Sequence, residues 1–138
     1  MRRKGALRAI GLGAVALLVM ASTGIAMAQS GKNGPVKRFT EVAVEISGNA
    51  FWLPSTIEVN QGDRVVITAK DLMGGPPEMH GFAIPAYHIA VLVPTGQTKV
   101  ITFTADKAGI FPFICQIHSE HIGGQLVVHP AGAFGKAR

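Results

Sequence analysis

There is one cysteine in 138 residues, Cys115, so no intramolecular disulfide can form. Charge is sparse: Asp, Glu, Lys and Arg make up 15% of the chain, and no run of lysines and arginines is interleaved with aromatics. That excludes a basic nucleic-acid-binding face. No apolar period of 3.6 residues is found, which excludes a helical body, and no internal repeat suggests an array.

The one long apolar run lies at the start, from Ala9 to Ala21. Arg2, Arg3, Lys4 and Arg8 precede it and Ala26-Met27-Ala28 follows, the order of a cleavable export signal. Cleavage after Ala28 leaves enough chain for one domain with a modest core. It also takes the basic count from 13 to nine against eight acidic residues, so the net charge falls from +5 to about +1. The basicity belongs mostly to the leader. No cysteine stands at the cleavage point, which excludes lipid attachment there, and Arg2-Arg3 lacks the apolar pair of a twin-arginine signal. Left uncleaved, the same run would be a membrane anchor, the only route to a membrane. The expected location is the periplasm or another exported compartment. The chain divides into a signal peptide (1–28), a flexible lead-in (29–37), a folded domain (38–129) and a flexible tail (130–138).

Within the domain the period is two. Phe39 to Ile46 alternates, with Val42, Val44 and Ile46 on one face and Glu41 and Glu45 on the other. Ser55 to Asn60, a turn at Gln61-Gly62-Asp63, and Arg64 to Ala69 predict a hairpin. Asp71 to Glu78, with Gly74, Gly75, Pro76 and Pro77, predicts an irregular loop. Further strands are expected over 81–84, 88–93, 98–104, 110–115 and 125–129, separated by turns. Short strands at this spacing predict an all-β, antiparallel sandwich or barrel.

The chemistry concentrates in Cys115-Gln116-Ile117-His118-Ser119-Glu120-His121, where a thiol and two imidazoles share seven residues. In an exported protein an unpaired cysteine needs a reason, and Cys-x-x-His-x-x-His is metal-ligand spacing. Alternation puts Phe111, Phe113 and Cys115 on one face and Ile110, Pro112 and Ile114 on the other. The phenylalanines mark the inward face, so the thiol ends a core strand and the imidazoles sit nearer the surface. Three donors so close in sequence need a fourth from elsewhere, and His80, between an irregular loop and a strand, is the candidate. His88 and His129 stand apart and read as ordinary histidines. Met79 falls on the opposite side of its strand from His80, and Met73 reads as packing.

These residues resemble a family, the cupredoxins. Phe51-x-x-Pro54-x-x-Ile57-x-Val59-x-x-Gly62-Asp63-x-Val65 is similar to their N-terminal hairpin, and His80-Gly81-Phe82-Ala83-Ile84 to the strand bearing their first histidine ligand. Phe103-Thr104-Ala105-Asp106-Lys107-Ala108-Gly109 with Cys115-x-x-His118 is similar to the approach to their ligand loop. The resemblance covers about residues 38 to 129 and is closest to nitrosocyanin and the copper domains of cytochrome c oxidase subunit II and nitrous oxide reductase. It implies a Greek-key β-sandwich holding one copper ion through His80, Cys115 and His118. The binuclear domains use two loop cysteines, so a two-copper centre is not expected here. His121 stands where blue-copper proteins usually have a weak methionine. Bonded, it makes a four-ligand red or green centre of low potential; turned to solvent, it leaves a trigonal blue one with a weak axial atom such as a carbonyl near Met79.

Single-electron transfer with transiently docking redox partners is therefore the expected function, that of a carrier rather than an enzyme. A patch of Met73, Pro76, Pro77, Pro85 and Ile122 could surround the exposed histidine edge. The alternatives are a catalytic or small-molecule-binding copper protein of the nitrosocyanin kind, a copper delivery or storage protein, a thiol enzyme without metal, and zinc in the same ligands. Storage is disfavoured by methionine usage, since three of the five methionines belong to the leader.

Overall fold

The computed structural model describes residues 34–75 and 79–135. The expected signal peptide and most of the lead-in lie outside the described residues. No helix among those described is long and apolar enough to cross a membrane.

Among the described residues nine strands follow one another: β1 (Val36–Ile46), β2 (Asn49–Leu53), β3 (Thr56–Asn60), β4 (Arg64–Asp71), β5 (Met79–Ile84), β6 (Ile89–Pro94), β7 (Thr98–Thr104), β8 (Gly109–Phe113) and β9 (Gly124–His129). One sheet has the order β2-β1-β4-β7 and another the order β3-β9-β8. The β5-β6 pair joins the second through a bridge between Ala83 and Ile114, hydrogen-bonded both ways at 2.9 and 3.0 Å. The expected all-β Greek-key sandwich is the fold. Its core is the shared inner face, where Trp52, Ile57, Val65, Phe82, Phe113 and Leu126 are buried. Each such side chain contributes about 1.5–3 kcal/mol by leaving water.

Three local expectations are corrected. Residues 55–69 form no hairpin: β3 pairs in parallel with β9, and β4 pairs with β1 and β7 in the other sheet. The turn between them is a corner that carries the chain from one layer to the other. The Asn60 N–H donates to the Asp63 carboxylate at 2.9 Å, and the Ala105 N–H donates to the Asp63 carbonyl at 2.9 Å. β2 was not foreseen as a strand; it turns back from β1 and places Trp52 opposite Ala43. The buried face of β1 is also the opposite one. Glu41 and Ala43 face the core while Ile46 is 52% exposed, because parallel pairing with β4 sets Glu41 beside Ala69 and Ala43 beside Asp71 on β4's inner face.

The far pole is closed by the C-terminal segment. Phe134 exchanges two hydrogen bonds with the Asn60 side chain and stacks on His129 with ring centroids 5.1 Å apart.

Candidate metal centre

His80 is the second residue of β5, and the strand's entry is held from below. The Trp52 indole N–H donates to the Gly81 carbonyl at 2.8 Å, and its ring meets Phe82 edge-on at 5.2 Å. An indole seldom goes under without a partner for its N–H, so this bond fixes β2 against β5 beside the histidine. His80 is 2% exposed.

Cys115 leaves β8 from the same face as Phe113, which stacks on Phe82 with centroids 5.3 Å apart. The inward direction read from alternation holds: Phe113 and Cys115 are buried, whereas Ile110 and Ile114 are exposed. The Gly81 N–H donates to the Cys115 sulfur at 3.1 Å. A side chain at Gly81 would run into Gln116, so glycine permits this approach. The loop then turns, with the His121 N–H on the His118 carbonyl at 3.3 Å, and is tied to β2 where the Ile122 N–H donates to the Ala50 carbonyl at 2.9 Å.

Three of the four expected ligands come together as a group. One nitrogen each from His80, His118 and His121 lies within 4.8 Å of the others. Their ring centroids are 4.6 to 5.3 Å apart. Cys115 stands beside this group, its sulfur 3.4 Å from His118 Nδ1. His80 is buried and the two loop histidines are half-buried. His129 is elsewhere, bonded to Glu58 at 2.8 Å, and His88 occupies a turn with φ 54°. Met79 projects away from the site and Met73 packs into the core.

Sequence reasoning missed Asp71. This carboxylate is fully buried and lies 2.7 Å from His80 Nδ1. The signal was available: Val65, Ile67, Ala69 and Asp71 share one face of β4, so an acid occupies an inward position of a core strand.

The donor set fits a metal ion. Burial first, then the nearby His80 and His118, hold the His121 imidazole below its usual pKa, so the neutral, metal-binding form is favoured. A backbone N–H aimed at the sulfur suits a thiolate. Imidazoles with a thiolate suit copper, and zinc accepts the same donors.

The fold and this histidine group define a cupredoxin. The chain matches the family description "Cupredoxin-like domain" over residues 14–128 and belongs to that family. It is similar to nitrous-oxide reductase of Ralstonia nicotianae, 31% identical over 94 residues that make up 66% of this chain and 15% of that protein. The corresponding protein of Pseudomonas fluorescens is 34% identical over 74 residues, 50% of this chain and 12% of that one. The likeness is thus to one segment of a much longer enzyme. Among solved structures, copper nitrite reductase from Nitrosomonas europaea covers 75% of this chain and 45% of its own at TM-score 0.60 and 22% identity. Reduced auracyanin from Roseiflexus castenholzii covers 70% and 100% at TM-score 0.57 and 18% identity. At these identities the structural likeness speaks to the fold alone.

Proposed function

We propose that this is an exported mononuclear copper protein that carries single electrons. The observation that carries the reading is the gathering of His80, His118 and His121, with the Cys115 sulfur alongside, at one pole of a rigid sandwich. Copper, when bound, supplies a one-electron couple. The protein's own part is to hold the donors still, and Trp52, Phe82 and Phe113 do so by locking β5 and β8 together beneath them. Donors held in one arrangement serve both oxidation states without rebuilding.

The route for electrons is the half-buried edge of His118 or His121. The apolar side chains next in sequence to the two loop histidines are exposed, Ile117 at 43% and Ile122 at 46%. A patch of this kind suits brief docking of a redox partner. Of the patch expected from sequence, Ile122 remains. Met73 is buried, Pro85 lies past the far end of β5, and Pro76 and Pro77 lie outside the described residues. Export rests on the leader described above.

A second reading has one observation in its favour: three nitrogens form the tight group and the thiol stands to the side. Three nitrogen ligands leave room for a small molecule at the metal, as in a catalytic copper protein. The deciding experiment loads the protein with one equivalent of copper(II) and records visible and paramagnetic resonance spectra, then repeats them with nitric oxide or azide. A thiolate charge-transfer band indifferent to both supports electron transfer. A band that they bleach or shift supports the second reading, and no band at all removes Cys115 from the metal.

A further inference from the structure

On the outer face of β1, β4 and β7 every side chain is Val, Ile, Thr, Arg or Lys, and none is acidic. Pairing gathers the cations there: Arg64 lies opposite Val36, Arg38 opposite Val66 and Lys70 opposite Val42. All three are exposed, and among the described residues none of them forms an ion pair. Carboxylates within reach of solvent lie off this face, Glu45 on the other side of β1, Glu58 on β3, Asp106 past the end of β7 and Glu120 in the ligand loop. A soluble surface ordinarily mixes both signs. The same face exposes Val36, Ile46 and Val100.

We propose that this face rests on an anionic lipid surface, with headgroup phosphates against Arg38, Arg64 and Lys70 and the exposed valines at the headgroup boundary. Cations on one side of a domain are drawn to negative lipid, and apolar side chains beside them add to the hold. Between the cations stand only valine, isoleucine and threonine, which offer neither an aromatic anchor nor a pocket for one. Protein interfaces centre on such anchors, whereas a bilayer surface needs no fitted partner. The chain also enters the domain at this edge, where the Arg64 N–H donates to the Pro35 carbonyl at 3.0 Å, so the export leader lies upstream of the same face. In sequence the three cations stand far apart, and a membrane contact other than the leader emerges only when β1 and β4 pair. With the sheet flat on lipid the strands run along the bilayer, and the pole that gathers His80, His118 and His121 stays open beside it. The proposal does not depend on what those histidines bind.

The test is sedimentation of the protein, in the form a producing cell exports, with vesicles of roughly 30% phosphatidylglycerol in phosphatidylcholine and with vesicles of phosphatidylcholine alone. The expected result is binding to the anionic vesicles only, lost as salt rises from about 0.02 M to about 0.5 M, and the same with or without copper. Arg38→Gln and Lys70→Gln should each weaken it about fivefold, the factor for one cation near an anionic surface. Lys107→Gln, in the turn after β7 and bonded to the Ala86 carbonyl at 3.1 Å, should leave it within about twofold, well short of that factor. A loss with Lys107→Gln equal to the other two overturns the proposal, since net charge rather than this face would then be at work. Equal binding to neutral vesicles overturns it as well. Failure to sediment with either vesicle at low salt also overturns it and leaves the cations to an acidic protein.

Discussion

Gly81 and Cys115 meet across 34 positions of chain, the backbone N–H of one directed at the sulfur of the other from 3.1 Å. A methyl group in place of hydrogen at Gly81 would overlap the Gln116 side chain and press on its backbone nitrogen at 3.0 Å. Gly81→Ala should therefore displace the ligand loop and cost about 1–3 kcal/mol, the usual penalty for overpacking a close contact. Thermal unfolding beside the copper spectrum checks it: an unchanged midpoint with an unchanged band would show the contact to be dispensable.

Removing the thiol separates the sulfur from the histidine group. Cys115→Ser should still take up copper(II) through His80, His118 and His121 but lose the charge-transfer colour. Colour surviving in that variant would take Cys115 out of the site. His129→Ala, at the opposite pole, should leave the colour as it was and cost no more than about 1 kcal/mol for its partly exposed pair with Glu58.

On the proposed copper reading, the character of the centre turns on His121. His121→Ala should move the absorption toward blue and raise the reduction potential, because one strong nitrogen donor to copper(II) is lost. A spectrum and potential unmoved by the substitution would mean that His121 does not bond to the metal.

Much of this was legible in the chain. Cys115, His118 and His121 declare themselves through local spacing, and the Phe111-Phe113-Cys115 alternation gave the thiol its direction. What escaped reading depends on partners distant in sequence. Two strands joined by a tight turn look like a hairpin, and only pairing with β1 and β9 shows that 61–63 turns a corner between sheets. Asp71 and Glu41 were read as loop and outward residues because acids are normally solvated, although both stand in alternating strands. The two differ in a telling way, for Asp71 has donors on both oxygens and Glu41 has none.

Glu41 should leave a pH signature. Burial pushes its carboxyl from an ordinary 4.5 up to about 8. Between those values the folded chain holds a proton on this carboxyl that the unfolded chain has released, so the contribution of Glu41 to stability is most favourable below pH 4.5 and declines as pH rises. The slope from this group is at most about 1.4 kcal/mol per pH unit, and it flattens above pH 8. Glu41→Leu should abolish that decline and stabilise the protein at pH 8 by about 1–3 kcal/mol, the cost of an unsatisfied buried polar group. Denaturant unfolding of both proteins at pH 5 and pH 8 makes the comparison; parallel pH dependence would mean that Glu41 finds a partner in solution.

Phe113 carries the site's floor. Phe113→Ala should cost about 3–5 kcal/mol, the range for emptying a buried phenylalanine position. It should also broaden the copper spectrum, because Cys115 is two residues away on the same face. A loss of stability with a sharp, unchanged spectrum would uncouple the loop from the core.

The position of β9 bears on how the protein comes into being. β9 is the middle of its sheet, flanked by β3 and β8, so the centre of one layer is synthesised after the two strands it joins. All four candidate ligands precede it. A chain interrupted before Gly124 would present its thiol and histidines with two neighbouring strands lacking a common partner, able to snatch at metals but not to hold them in one arrangement. Such pairings across long separations form slowly. On the proposed metal reading, the four donors are accordingly held in one arrangement only once β9 is in place between β3 and β8.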